Sequence, residues 1–199
     1  LSFFDKNYKG KFVDIGCFHP VRHNNTYAMY KLGWRGINID LNPLTIELFN
    51  FCRREDININ SAISDVEEIK KLYFIDELNT QNTLESNHLL FLKDHHNLKE
   101  KEISLQEIKT KKLDKILDEH GFNKIDFMNI DVEGHELNIV NSIDFSKYEI
   151  KFICIEMIDH NEKAIQVNKK VNAILERNDY VLEKKIGFNL IFKKNNHGK

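Results

Sequence analysis

The stretch Lys124-Ile125-Asp126-Phe127-Met128-Asn129-Ile130-Asp131-Val132-Glu133-Gly134-His135-Glu136-Leu137 carries the reading of the fold. A short apolar run ends in the carboxylate of Asp131, and a helix-like segment follows at once, expected over 133–142. The same grammar recurs upstream. Lys11-Phe12-Val13-Asp14-Ile15 stops at Gly16 and leads to a helix predicted over 26–32, with Asn24 or Asn25 as its N-cap and Gly33 as its stop. Gly36-Ile37-Asn38-Ile39-Asp40 leads to a helix opened by Pro43, a position where the missing N–H costs nothing. Strands that alternate with helices build a parallel sheet covered on both faces.

Working outward, Ile57 to Ile63 alternates cleanly and reads as a third strand. Helices are expected over 113–120 and 162–177, and strands over 148–157, 180–183 and 188–192, the last two joined at Gly187. The segment 64–112 breaks the rhythm, with a possible strand over 71–75, another over 102–105 and a His-rich stretch, 87–97. A structureless loop of that length is rare in a compact domain, so added secondary structure or a mobile lid is expected there. His88, His95 and His96 are expected at the surface or in that lid. The polar tail 193–199 is expected to fray.

The 199 residues fit one domain, 1–199, large enough to bury about 70% of its unfolded surface without disulfides or structural metal. Hydrophobic residues make up 41% and charged residues 30%, the balance of a folded globular chain. The formal net charge of −2 lacks the basic footprint of a nucleic-acid-binding protein. No apolar run approaches the ~18 residues of a membrane span. Cys17, Cys52 and Cys154 show neither metal-ligand spacing nor a disulfide framework, which predicts a reducing, cytoplasmic setting. The start lacks the regions of a signal peptide, and the absence of an initiator Met predicts that residues precede Leu1.

In an open α/β sheet, ligands bind beyond the carboxyl ends of the strands where strand order reverses. Four strand ends here carry acids: Asp14, Asp40, Asp131 and Glu156. A dinucleotide site needs a Gly-x-Gly-x-x-Gly loop against a pyrophosphate. Gly16-Cys17-Phe18-His19-Pro20 offers one glycine and a proline, which disfavours a nicotinamide-dependent oxidoreductase. One glycine suffices for a cofactor without phosphate that has a ribose, an adenine and an ammonium-bearing tail. Asp40 stands where an acid accepts the ribose hydroxyls, and Ala62 and Ile63 offer an apolar rest for the adenine. That description fits S-adenosylmethionine. Its candidate residues are Asp14, Gly16, Cys17, His19, Asn24, Asp40, Leu41, Ala62, Ile63 and Asp131.

The runs FVDIGCFHPVRHNNTYAMYKLGWRGINIDLNP, KIDFMNIDVEGHEL and FICIE resemble the FkbM family of methyltransferases. The resemblance implies a class I methyltransferase fold, a seven-stranded sheet whose last strand is antiparallel. It implies O-methylation of a sugar or glycan-precursor hydroxyl. By position it assigns Asp14 and Gly16 to the cofactor loop, Asp40 to the ribose, and Asp131, Glu133, Gly134 and His135 to the family signature. Some relatives hold a divalent metal, here expected on Asp131 and Glu156, with Asp159 the nearest further acid.

Methyl transfer to a weakly acidic hydroxyl needs alignment and a base or a metal. Asp131, Glu133 and His135 are the expected catalytic residues, with His135 as base, or else a divalent ion such as Mg²⁺ on Asp131, Glu156 and Asp159. His160 is a weaker candidate, and Tyr27 and Tyr30 are possible pocket walls. The alternatives are methylation of a non-sugar small molecule, such as a phosphorylated metabolite, and a SAM-binding module without catalysis.

Overall fold

The computed structural model describes residues 3–195, apart from 77, 78, 80, 81, 87, 90, 91, 94–98, 100, 101 and 160. Its main sheet has seven strands in the order β3-β2-β1-β7-β8-β10-β9. These are β1 (Lys11–Ile15), β2 (Arg35–Asp40), β3 (Ile57–Asn60), β7 (Lys124–Ile130), β8 (Glu149–Glu156), β9 (Tyr180–Ile186) and β10 (Asn189–Lys194). β3, β2, β1, β7 and β8 run parallel, and β10 lies antiparallel between β8 and β9. This is the expected class I architecture. The chain steps outward from β1 to β3, then returns to pair β7 on the other side of β1. The reversal of strand order therefore falls between β1 and β7.

Successive side chains on a strand face opposite ways, and here each face has its own core. Val13, Ile15, Met128, Ile130, Ile153 and Ile155 join the larger cluster, which takes in α3 (Leu113–Glu119), α4 (Glu136–Asn141) and α5 (Glu162–Arg177). Phe12, Phe127, Phe152 and Cys154 form the other with Met29 and Trp34. Burial on both sides explains the nearly unbroken apolar reading of these central strands. Asp14 and Asn129 interrupt it on one face, opposite each other in register.

Several local expectations are corrected. The first helix, α1 (Tyr27–Lys31), has Thr26 as its N-cap, because Asn24 and Asn25 are spent closing the preceding loop: the Asn24 amide donates to Asp14 and the Cys17 carbonyl, and that of Asn25 to Asn129. The helix opened by Pro43, α2 (Pro43–Cys52), is capped by Asn42, whose side chain accepts from the Leu44 amide. The run Ile57 to Ile63 is two strands. β3 ends where the Ser61 amide turns to the Asp40 carbonyl, and β4 (Ala62–Ile63) joins a second sheet of order β4-β6-β5.

That second sheet is the added structure within 64–112: β5 (Ile69–Phe74) pairs antiparallel with β6 (Ser104–Lys111). The helix after β7 starts at Glu136 instead of 133, because Glu133 and Gly134 take φ values of 53° and 99° that no α-helix contains. Helix α5 spans the expected residues, with the Asn161 side chain accepting from the Ala164 amide. Among the described residues no helix is long and apolar enough to cross a membrane.

Candidate active site

The site is built first from a backbone contact. The Asp131 amide donates to the Ile15 carbonyl and the Gly16 amide to the Ile39 carbonyl, so the ends of β1, β2 and β7 are drawn together. Gly16 has φ +76°, and a Cβ there would lie 1.7 Å from the Asp131 carbonyl oxygen. Only glycine permits that approach.

Behind this contact stands a fully buried polar frame. Asp14 accepts from Thr26 Oγ1 at 2.6 Å, Asn129 Nδ2 at 2.9 Å and Asn24 Nδ2 at 3.1 Å. Burial raises its pKa, against the pull of these three donors and of Arg53. Arg53 is itself fully buried. Its guanidinium donates to the Pro20 carbonyl, Asn24 Oδ1 and Thr26 Oγ1, beneath the rings of Tyr27, Tyr30 and Phe49. One side chain thus binds both arms of the 17–26 loop to α2. Tyr27 and Tyr30 serve this cation and do not line the cavity. No local pattern singles out Arg53, because its partners lie up to 33 residues away.

In front of the contact is a cavity of about 240 Å³. Gly16, Asp40, Leu41, Ala62, Ile63 and Asp131 line it, as do Glu133, His135 and Glu156. Asp14, Cys17, His19 and Asn24 do not. Cys17 packs on Ile46 and Phe49, and the His19 ring accepts from the Val21 and Arg22 amides to close a turn. The wall also includes Phe18, His23, Thr45, Ser61, Asn82 and Leu84, none singled out in the sequence. Phe18 could have been suspected from its place beside Gly16. Asn82 and Leu84 come from the inserted segment and carry no motif. Asp40 accepts from the Phe18 and Asn42 amides, and burial pushes its pKa up to about 6.

Beyond the ends of β7 and β8 carboxylates converge. Ligand oxygens of Asp131, Glu133 and Glu156 lie within 4.8 Å of one another. Burial first, then the charges of Glu156 and Glu133, raise the pKa of Asp131 well above the usual range, and Asp131 shares a hydrogen bond with Glu156. Glu156 is pushed up to about 7, by burial and then by Glu133 and Glu136. Burial and the facing acids thus favour the protonated form at both carboxyl groups. Asp159 is exposed and outside the cluster; Glu133 takes its place, because the positive φ at 133 turns that side chain back to the strand ends. A non-glycine residue held there is strained, a feature concentrated at functional sites.

Four contacts clasp the segment 64–112 to this turn. Thr83 Oγ1 donates to the Glu133 carbonyl at 2.8 Å. His88 Nε2 stands 3.1 Å from Glu133 Oε2 and the residue is buried, which corrects the surface half of the expectation of surface or lid. His135, also buried, places Nδ1 2.7 Å from Glu85 Oε1 and Nε2 3.2 Å from Ser64 Oγ. Both of its nitrogens are engaged by these partners. His95, His96 and His160 lie outside the described residues.

The profile of the methyltransferase FkbM domain matches residues 14–182. The chain belongs to the FkbM methyltransferase family. Its members are methyltransferases, and membership implies S-adenosylmethionine as the methyl donor. No curated protein sequence matches the chain. Among solved structures, a protein described as a type 11 methyltransferase from Sulfolobus solfataricus is 13% identical, with TM-score 0.44 over 96% of this chain and 88% of that one. The fibrillarin pre-rRNA processing protein of Methanococcus jannaschii is 13% identical, with TM-score 0.45 over 95% and 67%. A precorrin-6y C5,15-methyltransferase from Geobacter metallireducens GS-15 is 10% identical, with TM-score 0.45 over 94% and 82%. At these values the family match alone carries the assignment.

Proposed function

We propose that this FkbM-family chain transfers a methyl group from S-adenosylmethionine to a hydroxyl of a sugar or glycan precursor. The observation that carries the reading is the cavity at the β1–β7 reversal, lined by Gly16 and the Asp131–Glu156 pair together with Asp40, Ala62 and Ile63. Its residues fit the donor. Asp40 would accept from ribose hydroxyls, Ala62 and Ile63 would flank the adenine, and the carboxylate end would face the cationic sulfonium and ammonium. When bound, the cofactor supplies an electrophilic methyl group on a leaving group that is already good.

The chain's own residues must orient the acceptor hydroxyl and take its proton. Proximity supplies several kcal/mol of the barrier. Glu156, with a pKa near 7, is suited as general base, since a proton acceptor works best with a pKa close to the operating pH. This reading gives His135 a positioning role, through Glu85 and Ser64, in place of the base role expected from sequence.

The first test is thermal unfolding with S-adenosylhomocysteine, S-adenosylmethionine and NAD. A hundredfold excess over Kd adds about 2.7 kcal/mol, a rise of roughly 5–11 °C for this size of domain. A rise with both sulfur compounds and none with NAD is expected; no rise with either sinks the donor assignment. Labelled methyl transfer to a panel of glycosides, phosphorylated sugars and amines then tests the acceptor class.

A second reading concerns metal. The triad Asp131, Glu133 and Glu156 is a fitting set of hard oxygen donors for a divalent cation. Such an ion would supply positive charge that acidifies the acceptor hydroxyl. Loss of turnover in EDTA, restored by Mg²⁺, would select this reading; indifference to EDTA selects the carboxylate base.

A further inference from the structure

A second, smaller cavity of about 80 Å³ opens between the inserted segment and the start of α5. Glu156 is the residue that lines both cavities. One cavity therefore reaches this carboxylate from the β1–β2 side, and the other from the α5 side. A group-transfer enzyme needs two ligand spaces meeting at one reacting point, and Glu156 marks where they meet.

The lining of the second space speaks to its occupant. Ile158, Ala164 and Val167 make an aliphatic floor. Around it stand the carboxyl groups of Glu85, Glu136 and Glu156 and the ring of His88, with one ammonium, Lys163, among the described residues. A phosphate or carboxylate entering here would meet three acids against that one ammonium, and like-charge contacts disfavour it. The amides add donors and acceptors of both kinds. Asn161 spends its oxygen on the Ala164 amide and leaves its NH₂ to donate. Asn168 spends its NH₂ on the Ile158 carbonyl and leaves its oxygen to accept. An alcohol hydroxyl, which both donates and accepts, suits this pair of amides, and the C–H surface of a polyol suits the floor.

We propose that this second cavity is the acceptor pocket and that it takes an uncharged polyhydroxylated ligand, excluding phosphorylated and acidic sugars. The proposal rests on the donor reading of the first cavity. In the transfer, the hydroxyl oxygen bonds to the methyl carbon as the carbon–sulfur bond breaks. The sulfur keeps the electron pair and becomes a neutral thioether, and the hydroxyl proton passes to Glu156.

The test uses saturation-transfer NMR on the protein with S-adenosylhomocysteine. The probes are methyl glycosides of glucose, galactose, mannose and rhamnose, beside glucose 6-phosphate and glucuronate. Ala164→Phe fills the pocket floor. Ala173→Phe makes the same change on the exposed side of α5 and serves as control. Ala164→Leu, a smaller plug, replaces Ala164→Phe if the latter melts early. The expected result is a signal from at least one uncharged glycoside in wild type and Ala173→Phe, reduced at least tenfold by the Ala164 variant. The Kd for S-adenosylhomocysteine should stay within twofold in all three.

Signal undiminished by the Ala164 plug overturns the location. Equal or stronger signal from the anionic sugars overturns the ligand class, as does silence from every uncharged glycoside while S-adenosylhomocysteine still binds; the donor reading would survive either result. Failure of S-adenosylhomocysteine itself to bind overturns the proposed function and this inference together.

Discussion

Asp14 and Asp131 stand at the ends of adjacent strands, and burial pushes the pKa of each upward, yet their surroundings are opposite. At Asp14 every other influence pulls down: three side-chain donors and the Arg53 cation. At Asp131 every other influence pushes up, from Glu156, Glu133 and even Asp14. The first carboxylate is satisfied by its own chain and holds a loop in place. The second is left among acids, a buried imbalance that costs stability and is relieved by a proton or a bound cation. Strongly shifted groups of that kind mark functional sites more often than structural ones.

The same isosteric change at the two ends should therefore act in opposite ways. The largest effect is expected at the unbalanced end. Glu156→Gln, and likewise Asp131→Asn, should lower kcat for methyl transfer by roughly 10²–10⁴-fold, the usual contribution of a general base. Neither should lower Tm, and full activity in either variant would break the comparison. For Asp131 the sign of the pH effect also follows. An acid whose folded pKa is raised keeps its proton in the native state, so native stability declines as pH climbs from the unfolded value toward the folded one. Asp131→Asn escapes that decline, and its advantage in Tm over wild type should widen with pH across that window.

At the satisfied end the change is structural. Asp14→Asn turns an acceptor into a donor facing the amides of Asn24 and Asn129, and should cost about 1–3 kcal/mol in urea unfolding. An unchanged midpoint would mean that the frame is dispensable.

The smallest effect is expected at Asp40, which lies between the two extremes with two backbone donors and a pKa of about 6. A ribose hydroxyl donates best to its ionised form. The affinity for S-adenosylhomocysteine, by calorimetry, should fall up to about tenfold as pH drops from 7 to 5. Asp40→Asn should bind weakly at both values, and an undiminished pH dependence in that variant would assign the effect to another group.

The unequal legibility of the molecule follows the range of the interactions. Strand ends and their acids were readable because alternation and a terminal carboxylate are local signals; α5 was readable to the residue because Asn161 caps it. The helix after β7 was read three residues early, since the left-handed turn at Glu133 and Gly134 shows in the sequence only as one glycine. Glu136 accepts from the Gly134 and Val132 amides and is buried, with its pKa raised to about 7. Arg53 sits in a charged run, and the partners of Glu133 and His135 include His88 and Glu85. Contacts at such sequence distances leave no trace in periodicity.

The turn at Glu133 and Gly134 is fastened from two places in the 64–112 segment. Thr83, Glu85 and His88 hold it from one short stretch, and Ser64 holds it from the first residue of the segment. It is closed like a buckle on a strap, so slack in the strap between the two fastenings is not slack in the turn.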